Sequence, residues 1–236
     1  AVAKPVPPSD GRIRVVIDPG HGGRDQGATS PTGLLEKDLT LDIAQRLETR
    51  LKDRLNCEVV LTRSEDKYVA LEDRAAKAND AHADFLISIH GNSSSYDEVR
   101  GIETYYFRST DEALSANDGD TIGTALTPDT GDAAKSYASD VQSALLKGLK
   151  EGKQALRDRG VKPASFVVLR EVQMPAVLAE ISFMSSSKDA TQLDSSGYRD
   201  KVAEALYAGI ANHLSRRKPP ATALADATVK HDDDRR

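Results

Sequence analysis

Two rhythms of apolar positions alternate along this chain. Ile13–Asp18 (IRVVID) is a β-branched run closed by Pro19-Gly20, which predicts a buried strand emptying into a loop. From Lys37 to Leu55 the apolar residues Leu39, Ile43, Leu47 and Leu51 recur every four positions, the stripe of an amphipathic helix. Further strands are predicted at Glu58–Leu61, Phe85–Ile89, Gly101–Phe107, Phe166–Leu169 and Ala176–Ile181. Further helices are predicted at Val69–Asn79, over residues 133–152 and at Tyr198–Leu214. Strands alternating with helices argue an α/β fold, a single domain with a mainly parallel central β-sheet flanked by helices. Between Arg108 and Asp132 the rhythm stops in an acidic stretch rich in Asp, Thr and Gly. A loop that long is either a solvated excursion or a substrate-facing lid.

The ends lack both rhythms. Residues 1–11 (AVAKPVPPSDG) are Pro-rich and read as a linker without the apolar segment of a signal peptide. Residues 218–236 read as a polar tail with a charged tip. The globular domain is then residues 12–217, within the size of one large domain. Thirty-two Lys and Arg against 37 Asp and Glu give a net charge of -5, which argues against a duplex-coating nucleic-acid binder. No stretch approaches the roughly 20 apolar residues of a membrane span. Cys57 is the one cysteine, so no intrachain disulfide or cysteine-based zinc finger exists. Nothing in the pattern advertises a partner surface, and a monomer is expected.

Chemistry concentrates where strands end. Of five histidines, His21 follows IDPG and His90 follows FLISI, each just before a glycine. Ligands of open α/β sheets bind beyond the carboxyl ends of the strands, and glycine leaves the backbone room to bend there. Glu36 lies just before the first helix, where any acid suits the helix dipole. Glu180 ends an otherwise apolar strand and needs a partner or a task. Its partner is either an arginine such as Arg170, in a structural ion pair, or a reaction, as general base beside a metal. Two His and one Glu form a hydrolytic zinc set that leaves a position for water.

With these residues in place, the chain resembles the catalytic domain of the zinc-dependent N-acetylmuramoyl-L-alanine amidases, the type 3 amidase family of bacterial cell-wall hydrolases. The resemblance covers about residues 12–214. It is carried by IDPGHGGRDQGA at 17–28, LLEKDLTLDIAQRL at 34–47, VVLTRSEDKYVALEDRAAKAND at 59–80 and ADFLISIHGN at 83–92. GIETYYF at 101–107, DRGVKPASFVVLR at 158–170 and MPAVLAEISFMS at 174–185 extend it. It implies that His21, Glu36 and His90 bind one Zn2+ and that Glu180 is the catalytic carboxylate. It implies a peptidoglycan or muropeptide substrate, cut between N-acetylmuramic acid and L-alanine, and export to the bacterial cell envelope. His82 and His213 fit no motif and are expected to be structural or surface residues.

Two departures from the family pattern bear on substrate preference. The family often has SIHAN where this chain has SIHGN at 88–92, and E-x-G-F-x-S-N where it has EISFMSS at 180–186. Ser182 thus stands for a glycine and Ser186 for an asparagine, which places them in the expected substrate floor. Some members carry a helix that plugs the zinc site until an activator removes it. The corresponding region here, 107–135, has little amphipathic periodicity, so no long occluding helix and no need for an activator are expected. A zinc carboxypeptidase acting within the stem peptide has the same metal chemistry. A non-catalytic peptidoglycan-binding module is the reading of another class, against which the complete set of four residues speaks.

Overall fold

The computed structural model describes residues 11–108, 128–150 and 156–216. The expected linker and tail, and most of the 108–132 stretch, lie outside the described residues. Six strands form one sheet in the order β2-β1-β3-β6-β4-β5. They are β1 (Arg14–Pro19), β2 (Glu58–Leu61), β3 (Phe85–Asn92), β4 (Ile102–Tyr106), β5 (Asp158–Pro163) and β6 (Ala176–Phe183). Every pairing is parallel except β4 against β6. The helices are α1 (Glu36–Leu55), α2 (Leu71–Asp80), α3 (Pro128–Gly148), α4 (Val167–Arg170), α5 (Ser187–Leu193) and α6 (Ser196–Ser215). The expected single-domain α/β architecture with a mainly parallel sheet is what the chain builds.

The twofold period of the central strands sorts their side chains into two layers. Val15 and Ile17, Phe85, Ile87 and Ile89, and Val177, Ala179 and Ile181 face a large core closed by α1, α3 and α6. Val16, Leu86, Ala176 and Leu178 face a smaller one closed by α2 and α4. The predicted stripe of α1 is buried in the larger core, with Leu39, Ile43, Leu47 and Leu51 each at most 1% exposed. Asn56 ends α1 in the left-handed conformation (φ 51°), and Cys57 follows it, 3% exposed in the same core.

Three local expectations fail. The Val167-Val168-Leu169 run is the helical turn α4, not a strand; a short apolar run fits a buried helix as well as a strand. The strand of this region is instead β5, whose sequence DRGVKP has only one aliphatic residue because it lies at the sheet edge. Helix α3 runs from Pro128 to Gly148 rather than over 133–152, so the last residues of the acidic stretch are helical. Helix α5 has no counterpart in the predicted pattern.

Because β1, β3 and β6 are parallel, their carboxyl ends meet at one edge of the sheet. Pro19 pairs with Ile89, and His90 pairs with Glu180.

Candidate active site

His21 and His90 leave that edge from β1 and β3, and Glu36 reaches it from the first turn of α1. Their rings and carboxylate converge. Glu36 Oε1 lies 3.1 Å from His21 Nε2 and 3.1 Å from His90 Nδ1, and the two rings stand edge to face with centroids 5.0 Å apart. The donor atoms of these three residues all lie within 4.8 Å of one another. Glu36 is 4% exposed. The N–H of Gly91 donates to its Oε1 (2.9 Å) and that of Ala28 to its Oε2 (2.8 Å). Burial opposes its charge, but the hydrogen bonds and charges of the two imidazoles win and hold its carboxyl far below the usual range. His21 is also desolvated, yet Glu36 and Asp25 raise its pKa, Asp25 Oδ1 lying 2.9 Å from Nδ1.

The backbone is shaped to allow this convergence. A Cβ on Gly20 would lie 2.3 Å from the His90 ring, and one on Gly27 (φ 66°) 2.6 Å from both Glu36 Oε2 and His21 Cδ2. His21 itself is left-handed (φ 60°), a conformation unusual for a residue with a Cβ. Two buried arginines hold it there. Arg63, fully buried, donates from Nε to the Pro19 carbonyl (3.1 Å) and from Nη2 to both the Gly20 and Lys37 carbonyls (2.8 Å each). It thereby ties the neighbours of His21 and Glu36 together. Arg74 donates to the carbonyls of Pro19 and His21 (2.6 and 2.7 Å) and pairs with Asp18 at 2.8 Å. Asp18 also accepts from Thr62 and Ser88 (2.6 and 2.7 Å). Burial disfavours its charge, but Arg74 and these donors lower its pKa. Sequence reasoning missed both arginines and Asp18. For Asp18 alone there was a signal, the one used for Glu180: a carboxylate closing an apolar strand.

Glu180 is the contrast. Its Oε2 is buried and has no hydrogen-bond partner among the described residues. Arg170, its suggested structural partner, pairs instead with Glu171 at 3.0 Å. Burial first, then the charges of Glu36 and Glu103, push the Glu180 pKa up to about 7, against the opposing pull of His90 and His21. Glu103 faces Glu180 across the antiparallel β4–β6 pair and is itself surrounded by donors. A cavity of about 290 Å³ opens beside the imidazoles, with Tyr68, Val69, Leu71 and Val168 in its wall.

The remaining residues sort simply. His82 is exposed at the end of α2. His213 is buried in the core, 3.0 Å from Asp140 and packed on Phe85 and Tyr137. Both stand away from the cluster, as expected. His231 and residues 109–127 of the region expected to lack an occluding helix lie outside the described residues, while 128–135 belong to α3. Ser182 is 2% exposed and donates to Asp189 (2.9 Å), so it faces the interior and not a substrate floor. Ser186 is likewise fully buried.

A family model described as N-acetylmuramoyl-L-alanine amidase matches residues 15–212, from β1 to near the end of α6. This chain belongs to the N-acetylmuramoyl-L-alanine amidase family. It is 37% identical over 199 residues to the N-acetylmuramoyl-L-alanine amidase LytC of Bacillus subtilis, spanning 84% of this chain but 35% of that longer protein. It is 35% identical to the sporulation-specific N-acetylmuramoyl-L-alanine amidase of the same organism, over 90% of this chain and 72% of that one. The crystal structure of an N-acetylmuramoyl-L-alanine amidase from Clostridium difficile 630 superposes with a TM-score of 0.73 at 35% identity, over 88% of this chain and 99% of that chain. The amidase fold therefore accounts for the whole described sheet. No described helix is long and apolar enough to cross a membrane.

Proposed function

We propose that this amidase cleaves the amide between the lactyl group of N-acetylmuramic acid and L-alanine of the stem peptide, with His21, Glu36 and His90 holding one Zn2+ and Glu180 as general base. One observation carries the reading: three convergent donor atoms face a buried carboxylate whose Oε2 has no partner among the described residues. The donor set, two imidazole nitrogens and a carboxylate oxygen, suits zinc of the hydrolytic kind. When bound, the ion supplies Lewis acidity, polarising a carbonyl and acidifying water.

The chain's own residues do the rest. Asp25 beside Nδ1 of His21 presents Nε2 to the centre, the usual arrangement behind a ligating histidine. The Ala28 and Gly91 N–H groups fix the Glu36 carboxylate. Glu180 Oε2 takes the proton of the attacking water as its oxygen joins the carbonyl carbon. It returns that proton to the alanine nitrogen as the C–N bond breaks, leaving a muramoyl carboxylic acid and a free peptide amine. A pKa raised toward 7 suits a group that must both accept and release a proton.

A substrate of this kind sets the work in the bacterial cell envelope, after export. Residues 12–217 form the catalytic unit between a linker and a tail, acting as a monomer without an activator. Incubation with peptidoglycan, with and without a chelator, tests the function. Chelator-sensitive release of stem peptides beginning with L-alanine is expected. Cleavage inside the peptide transfers the chain to the carboxypeptidase reading, and bound zinc with no release favours a binding module or an activator.

A further inference from the structure

We propose that Arg159, seconded by Lys162, is the subsite for a carboxylate of the substrate's peptide, on the Glu180 side of the site. The inference rests on the amidase reading above and adds to it a recognition element.

Glu103 is the anchor. It opposes Glu180 in the β4–β6 register, which sets the two side chains on one face about 5 Å apart at Cβ. Glu103 is 3% exposed and fully engaged. Asn92 Nδ2 and Tyr105 Oη donate to its Oε1, and Arg159 Nε (3.1 Å) and Lys162 Nζ donate to its Oε2. Arg159 spends only Nε on this carboxylate. Among the described residues its two terminal amino groups have no hydrogen-bond partner, while its guanidinium lies over the Phe183 ring, 4.9 Å from the centroid. The side chain keeps 25% of its surface exposed, and that of Lys162 39%.

Arg159 and Lys162 together carry one more charge than the Glu103 carboxylate they flank. A guanidinium pinned through Nε and by an aromatic face presents its remaining N–H groups in a fixed orientation, which suits a carboxylate. The substrate has such groups on one side only. The muramic carboxyl is consumed in the scissile amide and the N-acetyl group is neutral, so the anions belong to the peptide beyond L-alanine. Glu180 delivers its proton to that peptide's nitrogen, so the peptide and the cations share one side. The cavity beside His21 and His90 is lined by neither Arg159 nor Lys162.

The test uses the whole chain and two muramoyl-L-alanyl-glutamate probes at one ionic strength, one with both glutamate carboxyls free and one with both amidated. The wild type is expected to show the lower KM on the free acid. Arg159→Lys keeps a countercharge for Glu103 but removes the planar group. It is expected to raise KM about tenfold on the free acid, the worth of a charge-assisted hydrogen bond, and less than about twofold on the amide. Lys162→Met is expected to move the same ratio about threefold, and it carries the test if Arg159→Lys fails to fold. A wild type indifferent to the carboxyls, or variants that weaken both probes equally, overturns the subsite and leaves the pair as support for Glu103. A wild type that cleaves neither probe overturns the amidase reading itself.

Discussion

The two halves of the site are built on opposite rules. On the β1 side, buried charge is spent on making geometry permanent. Arg63 and Arg74 saturate the carbonyls of Pro19, Gly20 and His21, and Asp18 balances Arg74 through three donors. On the β6 side, a buried carboxylate oxygen of Glu180 has no hydrogen-bond partner among the described residues. Buried polar groups are nearly always satisfied, so an unpartnered carboxylate oxygen invites a functional reading. The difference teaches that positioning and reactivity are divided between strands. The loop carrying His21 is held by many hydrogen bonds, and Glu180, the proposed base, keeps an oxygen without a partner among the described residues.

Removing a ligand is the hardest blow to this division. His21→Ala or His90→Ala is expected to lose bound metal and activity together, with activity at background and metal content read by elemental analysis. Glu180→Gln comes next, lowering the rate roughly 10²- to 10⁴-fold, the usual range for a general base. Its metal content should stay normal, and a variant of full activity would remove Glu180 from the mechanism.

Asp18→Asn attacks the other half, leaving the Arg74 guanidinium without its buried counter-charge. A loss of about 3 kcal/mol in denaturant unfolding is expected, as for other broken buried pairs. The pH dependence has a definite sign. The native carboxyl titrates below the ordinary aspartate value near 4, so its contribution is complete above that value and fades as pH falls through the lower native one. Asp18→Asn should flatten that acid limb. The smallest effect is expected at the α1–α6 surface, where Arg54 meets Glu204 at 2.8 Å with both side chains nearly half exposed. Arg54→Ala should cost less than about 1 kcal/mol. If it costs as much as Asp18→Asn, the contrast between fixed and exposed charge is lost.

What was legible in the sequence follows from chemistry as much as from pattern. β1, β3 and β6 combine apolar runs with an out-of-place polar residue at the end, which pointed to His21, His90 and Glu180 at once. The α1 stripe was plain because four leucine-type positions repeat on one face. The α4 turn and β5 were exchanged because VVLR has no period of its own and an edge strand needs few apolar residues. Arg63 and Arg74 were invisible for another reason. Arginine is ordinarily a surface residue, and only the folded chain shows that their donors are answered by carbonyls from distant segments. Ser182 reverses the case: its place in the motif suggested a substrate contact, and Asp189 draws it inward.

The burial of Cys57 bears on how the chain meets oxidants. Removal from water, with a small push from Asp84, raises its thiol pKa to about 11. At neutral pH only about one molecule in 10⁴ then holds the thiolate, the form that attacks disulfides and oxidants. In an oxidising compartment the native protein is therefore a poor redox target, and the unfolded chain is a far better one. Mixed-disulfide capture of Cys57 would serve as a chemical clock for unfolding, ticking at the rate at which the core between α1 and β2 opens.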